Sequence, residues 1–284
     1  MRRGDRTCRD TDTDLPAVEA FPARHVTLEP VSTEVSPKDR FVTVYGRKPV
    51  LEALTDYDLR VDKVIIAEGL RGPVIEEIKE AAADRAVRVH RASAHRVKVL
   101  AGNGRHDQGV LADVVARKMR PLADALADPA LAPRNVLLLD GLTTPANVGM
   151  ILRTATAAGI EGIVVPHRGV AGLDPLVIKA SAGVAFHAPV LRANTAGQAA
   201  EMLSDAGYTL FALDADGPGT IFDADFGSRA VFVLGSETAG LSEEVQARVA
   251  ERLAIPMRGG VESLNVASAA AVLCFELLRR GRVG

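Results

Sequence analysis

The feature that most limits what this chain can fold into is a set of short apolar runs in its second half. Val136, Leu137, Leu138 and Leu139, closed by Asp140, form the first of them. A continuous run of this kind reads as a strand buried on both faces, as in a parallel sheet covered by helices on either side. Further strands are expected at 162–166, 208–213, 230–234 and 252–255, with helices between them and a last helix from about 264 to 280. Such alternation predicts an α/β domain with a mostly parallel sheet.

The first half reads differently. Residues 1–38 are rich in Asp, Thr and Pro, lack periodicity, and are expected to form a mobile extension. From 39 to 118, strands at 61–67, 87–90 and 109–116 alternate with helices at 48–54 and 73–83, the second placing Ile75, Ile78 and Ala82 on one face. These make a small α/β sandwich. Three prolines and many alanines place a linker at 119–134, leaving 135–284 as the second domain.

Composition excludes several classes. At 48% hydrophobic and 25% charged, the chain is ordinary for a soluble globular protein, and no run is long enough to span a membrane. The polar start after Met1 is not a secretory signal, which leaves the cytoplasm as the default location. Cys8 and Cys274 are the only cysteines, and His and acid residues show no metal-ligand spacing, so neither a disulfide framework nor a metal site is expected. The net charge of −2 hides an asymmetry: residues 85–106 hold six Lys/Arg and three His with no acid. That is the footprint of a nucleic-acid contact, and a solvated face would look the same.

Three segments carry the chemistry. After the strand at 136–140, Thr144 reads as an N-cap with Pro145 opening a helix whose core face is Val148, Ile151, Leu152 and Ala155. Arg153 lies off that face, its guanidinium leaning back over Gly149 and Ala146, which are expected to leave room for a ligand. Asn147 offers a donor and an acceptor near amides that favour anions. The second segment ends the strand at 230–234 in a turn with Gly235, where a cofactor could approach the backbone, and with Glu237. In the third, a strand ends at Ile255, Gly259 and Gly260 form a loop, and Ser263 and Asn265 open the apolar last helix. Each segment alone also fits surface residues and ordinary helix caps. Three such loops at strand ends in one domain favour a site.

Together the segments resemble the SpoU (TrmH-like) family of RNA ribose 2′-O-methyltransferases, of the SPOUT superfamily. Asn147, Val148 and Gly149 followed by Arg153, Thr154 and Ala155 match its first motif. Leu234 to Glu237 with Gly240 and Leu241 match the second, and Ile255, Pro256 and Met257 with Ser263 to Ala267 the third. Upstream, Tyr45 and Gly46, with His106, Asp107, Gln108 and Gly109, are similar to the family's L30e-like substrate-binding domain. The Asp there departs slightly from relatives.

The resemblance implies an L30e-like sandwich followed by a SPOUT domain with a deep trefoil knot. It implies S-adenosyl-L-methionine held around Leu234, Gly235, Ile255, Met257 and Leu264, and a homodimer. Asn147, Arg153, Glu237, Ser263 and Asn265 would line the reaction centre. A guanidinium, with a pKa above about 12, is a poor proton acceptor. Clamping a phosphate and stabilising a nascent oxyanion suits Arg153 better, although the family's idea of Arg as base stays open. RNA is the implied partner, with 23S rRNA favoured over tRNA and a self-resistance role, as in the thiostrepton and avilamycin types, in view. A non-catalytic RNA- or ribosome-binding protein is the rival from another class.

Overall fold

The structure is a computed structural model that describes residues 39–101, 107–236 and 238–283. The expected extension over 1–38, and His106 and Glu237, lie outside the described residues. Seven elements build the first sheet: β1 (Phe41–Tyr45), α1 (Arg47–Thr55), β2 (Val61–Ala67), α2 (Pro73–Asp84), β3 (Arg88–Ala92), α3 (Ala94–Ala101) and β4 (Val110–Val115). The strand order is β1-β4-β2-β3, with β4 antiparallel to β1 and β2, and β3 parallel to β2 at the edge. Alternation divides its residues between two layers. Val42, Val44, Val64 and Ile66 pack with Val50, Ile75 and Ile78 of α1 and α2, while Tyr45, Ile65 and Leu111 meet Val97 of α3.

The second sheet holds β5 (Arg120–Pro121), β6 (Asn135–Leu139), β7 (Gly162–Val164), β8 (Val190–Arg192), β9 (Thr209–Leu213), β10 (Gly219–Thr220), β11 (Ala230–Leu234) and β12 (Glu251–Ala254). All eight run parallel, in the order β10-β12-β9-β11-β6-β7-β8-β5, as the apolar runs predicted for the main strands. Helices α4 (Leu122–Leu126), α5 (Pro145–Ala157), α6 (Pro175–Ala180), α7 (Ala196–Asp205), α8 (Glu243–Gln246) and α9 (Val266–Arg279) complete it. Within β6, Leu137 and Leu139 join the core with α5 and α9, whereas Val136 and Leu138 join the core with α7 and α8. Residues 119–134, expected as a linker, contribute β5 to the sheet edge and α4 to the layer beside α7.

Chain order sets up the site. After β6 the chain lays down β7 and β8 on one side, then crosses to β9 and β10 on the other. β11 then enters between β9 and β6, and β12 between β10 and β9. Parallel strands bind ligands at their carboxyl ends, where such reversals open a crevice. The loops after β6, β11 and β12 all emerge at that end.

Gly149 is expected from sequence to leave room for a ligand, and it does not. It is buried, and a Cβ there would meet Ala180 Cβ at 2.5 Å and the Val177 carbonyl oxygen at 2.7 Å. Its missing side chain lets α5 and α6 pack backbone to backbone. Arg85, counted with the basic stretch, is also structural. It donates from Nη1 to the carbonyls of Ala53, Leu54 and Asp56 and from Nη2 to that of Leu59, closing the end of α1. No helix among the described residues is long and apolar enough to cross a membrane.

Candidate active site

A cavity of about 400 Å³ opens at the carboxyl ends of β9, β11 and β12. Leu234, Gly235, Ile255, Met257 and Leu264 all line it, and so does Ser263. The volume falls in the range of small-molecule sites, and the wall combines apolar side chains with a few polar groups, the composition such sites use. Sequence reasoning missed Asp214 and Arg252, which face the cavity as an ion pair at 3.4 Å. The signal was available: Asp214 follows the last residue of a predicted strand, at the end where ligands bind. Gly235 has a packing role as well. A Cβ there would meet Leu241 Cδ2 at 2.7 Å and the Gly240 carbonyl oxygen at 3.0 Å, so its smallness lets the loop after β11 fold back and form the cavity wall.

Asn147 and Asn265, 118 residues apart in sequence, are brought together. Asn265 caps α9: its Oδ1 accepts from the Ala267 amide at 2.9 Å. That bond fixes which end of its side-chain amide is the donor. Its Nδ2 donates to Asn147 Oδ1 at 3.1 Å, which in turn leaves Nδ2 as the outward-facing end of the Asn147 amide. Ser263, Leu264 and Val266, on either side of Asn265, line the cavity, so the pair stands at its edge. Thr144 does occupy the N-cap of α5, but its side chain makes no cap bond.

Arg153 is not part of this pair. Six residues beyond Asn147 on α5, it projects about 120° around the helix and about 9 Å along it. It is exposed, with no hydrogen bond or ion pair among the described residues, on a stripe with Ala146, Met150 and Ala157. α5 packs on α9; Met150 of α5 is 40% exposed, and Phe275 and Leu278 of α9 are 51% and 41% exposed. An apolar surface this prominent on two adjoining helices is unusual for a surface facing only water. Cys274, on the inner side of α9, is buried, and that burial pushes its thiol up to about 12, so it is neutral.

The first sheet supplies a different surface. β3 is exposed on both faces, and Arg88, Arg91, Arg96 and Lys98 on β3 and α3 have cationic groups with no partner among the described residues. At the other edge of that sheet, Gly46, at φ +97°, joins β1 to α1, and the Arg47 amide donates to Gln108 Oε1 at 3.1 Å. Asp107 is buried and accepts from the Gly109 amide at 2.7 Å. The Tyr45–Gly46 and Asp107–Gly109 segments are thus neighbours. Among the described residues, no cluster of three His, Cys, Asp or Glu side chains could hold a metal ion.

Comparison with known proteins gives these surfaces a context. The family model described as SpoU rRNA Methylase matches residues 134–275, and that described as RNA 2′-O ribose methyltransferase substrate binding matches residues 43–119. The chain is 34% identical over 242 residues to an uncharacterised tRNA/rRNA methyltransferase of Mycolicibacterium vanbaalenii, covering 84% of this chain and 76% of the relative. It is 31% identical to a protein of Staphylococcus saprophyticus assigned to the TrmH family of tRNA/rRNA methyltransferases, covering 84% and 96%. Among solved structures, a TrmH-family RNA methyltransferase fold from Porphyromonas gingivalis matches with a TM-score of 0.57 at 28% identity, covering 86% of this chain and 91% of that one. The SpoU methyltransferase AviRb of Streptomyces viridochromogenes, in complex with AdoMet, matches with a TM-score of 0.57 at 25% identity, covering 85% and 90%. With its methylase region, its substrate-binding region and relatives at this identity, the chain belongs to the SpoU (TrmH-like) family of RNA methyltransferases.

Proposed function

We propose that the chain transfers a methyl group from S-adenosylmethionine to a ribose 2′-hydroxyl of RNA, with 23S rRNA as its substrate in the cytoplasm. One observation carries this reading: a single cavity of about 400 Å³ collects all five residues expected to hold the cofactor, with the Asn147–Asn265 pair at its edge. The fit of the cofactor is supported by the cavity wall. Leu234, Ile255, Met257 and Leu264 suit an apolar body, and Asp214 with Arg252 suits a zwitterionic end.

Bound there, S-adenosylmethionine supplies a methyl group on a sulfonium, ready for a nucleophile. The chain's own residues do the rest. The outward Nδ2 of Asn147, Ser263 and Glu237 orient the ribose, converting much of the barrier into positioning. Arg153 clamps the phosphate next to that ribose and stabilises negative charge on the 2′ oxygen. Residues 39–118 hold the RNA through the cations around β3, and 135–284 carry methyl transfer, with a trefoil knot formed where β11 and β12 enter the sheet.

The exposed position of Arg153 supports the homodimer implied by the resemblance. A second copy seated over exposed Met150 of α5 and Phe275 and Leu278 of α9 would also remove Arg153, on the same stripe as Met150, from bulk water. In that arrangement Arg153 serves the partner's cavity. The match of residues 134–275 to a family model described as SpoU rRNA Methylase supports rRNA over tRNA, and a self-resistance role would be a special case of that reading.

The test is methyl transfer from labelled S-adenosylmethionine into 23S rRNA, with tRNA in parallel. A 2′-O-methyl group blocks alkaline cleavage at one position and so maps the target. Label in tRNA alone would move the substrate assignment. Cofactor binding with no transfer into either RNA would favour the non-catalytic reading.

A further inference from the structure

Asp140, buried at the end of β6, has no place in the scheme above, yet it touches both ends of the cofactor loop, one through its backbone amide and the other through its carboxylate. Its amide donates to the Leu234 carbonyl oxygen at 3.0 Å, where the loop after β11 begins. Its Oδ2 accepts from the Ser242 amide at 2.6 Å and from the Ser242 hydroxyl at 2.9 Å, where that loop ends. Asp140 is only 6% exposed, so these two bonds to its carboxylate lie away from water, where they are strong. Ser242 is the N-cap of α8, but its hydroxyl makes no bond to its own helix and is turned to Asp140 instead.

Between these anchors the loop is folded tightly. Ser236 and Gly240 exchange both backbone bonds, at 3.0 and 2.9 Å. Gly141, at φ +69°, passes so close that a Cβ there would meet Ser236 Cβ at 3.3 Å. Gly235, Ser236, Ala239, Gly240 and Leu241 of this loop line the cavity, and Gln246 of α8 lines it farther on.

We infer that Asp140 is a positioning residue that clasps the loop between Leu234 and Ser242 and so holds the cofactor cavity in its binding shape. Asp140 does not itself line the cavity, so it acts on affinity through the loop. The inference rests on the reading of this cavity as the S-adenosylmethionine site. It also gives the first motif a structural link to the cofactor: only four residues separate Asp140 from the start of α5.

The experiment is calorimetric titration of S-adenosylmethionine and S-adenosylhomocysteine into the full chain and four variants, each checked by thermal melting at the assay temperature. Asp140→Ala is expected to weaken both ligands tenfold or more. Asp140→Asn keeps an acceptor oxygen and should recover part of that loss. Ser242→Ala keeps the amide bond and should cost about threefold, by removing one of the two bonds to the carboxylate. In Asp140→Ala/Ser242→Ala the serine change should add nothing, because the contact is already gone. General destabilisation would produce neither the rescue by Asn nor this non-additivity. Folded Asp140→Ala binding within twofold of the parent overturns the clasp. If that variant does not fold, an unchanged Ser242→Ala overturns it equally. A parent chain that binds neither ligand refutes the cofactor reading instead, an outcome plainly distinct from loss in the variants alone.

Discussion

The two sheets place their polar groups in opposite ways. β6 and β11, at the centre of the large sheet, are buried along their whole length, and functional groups appear only where the strands end. β3, at the edge of the small sheet, is exposed on both faces and carries its cations along the strand itself. The first arrangement concentrates chemistry at points held to fractions of an ångström. The second spreads charge over a surface that tolerates loose registration. Substitutions should therefore be nearly all-or-none in one sheet, and graded and salt-sensitive in the other.

The sharpest break would come at Arg153. Arg153→Ala should fold, bind S-adenosylmethionine with unchanged affinity, and lose methyl transfer by about 10²–10³-fold, the usual cost of one lost oxyanion donor. Single-turnover transfer into RNA checks this, and, for the proposed dimer, mixing with a Leu264→Asp chain reports whether Arg153 serves its own cavity or the partner's. Activity regained in the mixture requires Arg153 to act across the dimer.

The large sheet should also set the pH response. Glu276, on α9, has its carboxyl held down at about 2 by hydrogen bonds from Arg279 and Arg280, against 4.5 in its ordinary setting. Arg280 also donates to the carbonyls of Ala224 and Ile221, tying α9 to the turn after β10. With the folded value below the unfolded one, the stabilisation is complete above about 4.5 and is lost as pH falls toward about 2. Denaturant melts should lose on the order of 2 kcal/mol across that window, and Glu276→Gln should flatten the slope.

A test of packing comes next. Gly149→Ala should destabilise by about 1–3 kcal/mol, since a Cβ meets backbone atoms of α6 that cannot turn away. Melting temperature measures it. The smallest effects belong to the small sheet. Arg88→Ala and Arg91→Ala should each weaken RNA binding only a few-fold and lower the salt slope by about 1, without changing turnover at saturating RNA. Equal losses in turnover would erase the contrast between the sheets.

The longer elements were legible because periodicity needs several residues to declare itself. The strands at 61–67 and 230–234 were read from sequence with their observed bounds. β5 and β10, at two residues each, and β8, at three, are too short to show a pattern, and Pro121 made β5 look like linker. The site divided along a similar line. Asn147, Asn265, Ser263 and the five expected cofactor residues were visible because residue type and strand-end position spoke together, whereas Asp214 and Arg252 were not. Asp140 was visible only as the end of a strand, because the serine that gives it a role lies 102 residues away. Arg85 misled for the opposite reason: its charge looked available, while its guanidinium is engaged by four carbonyls of a neighbouring turn.

Asn265 stands at the start of α9 as its cap and, through the same amide group, as the donor that sets Asn147. A mutational screen would see one phenotype for two causes there: an Asn265→Ala chain would melt earlier and work less, and neither deficit would explain the other. Screens that select only for thermostability would keep this asparagine without any exposure to RNA. Directed evolution toward a new substrate is therefore better begun at Ser263, which lines the cavity but caps no helix.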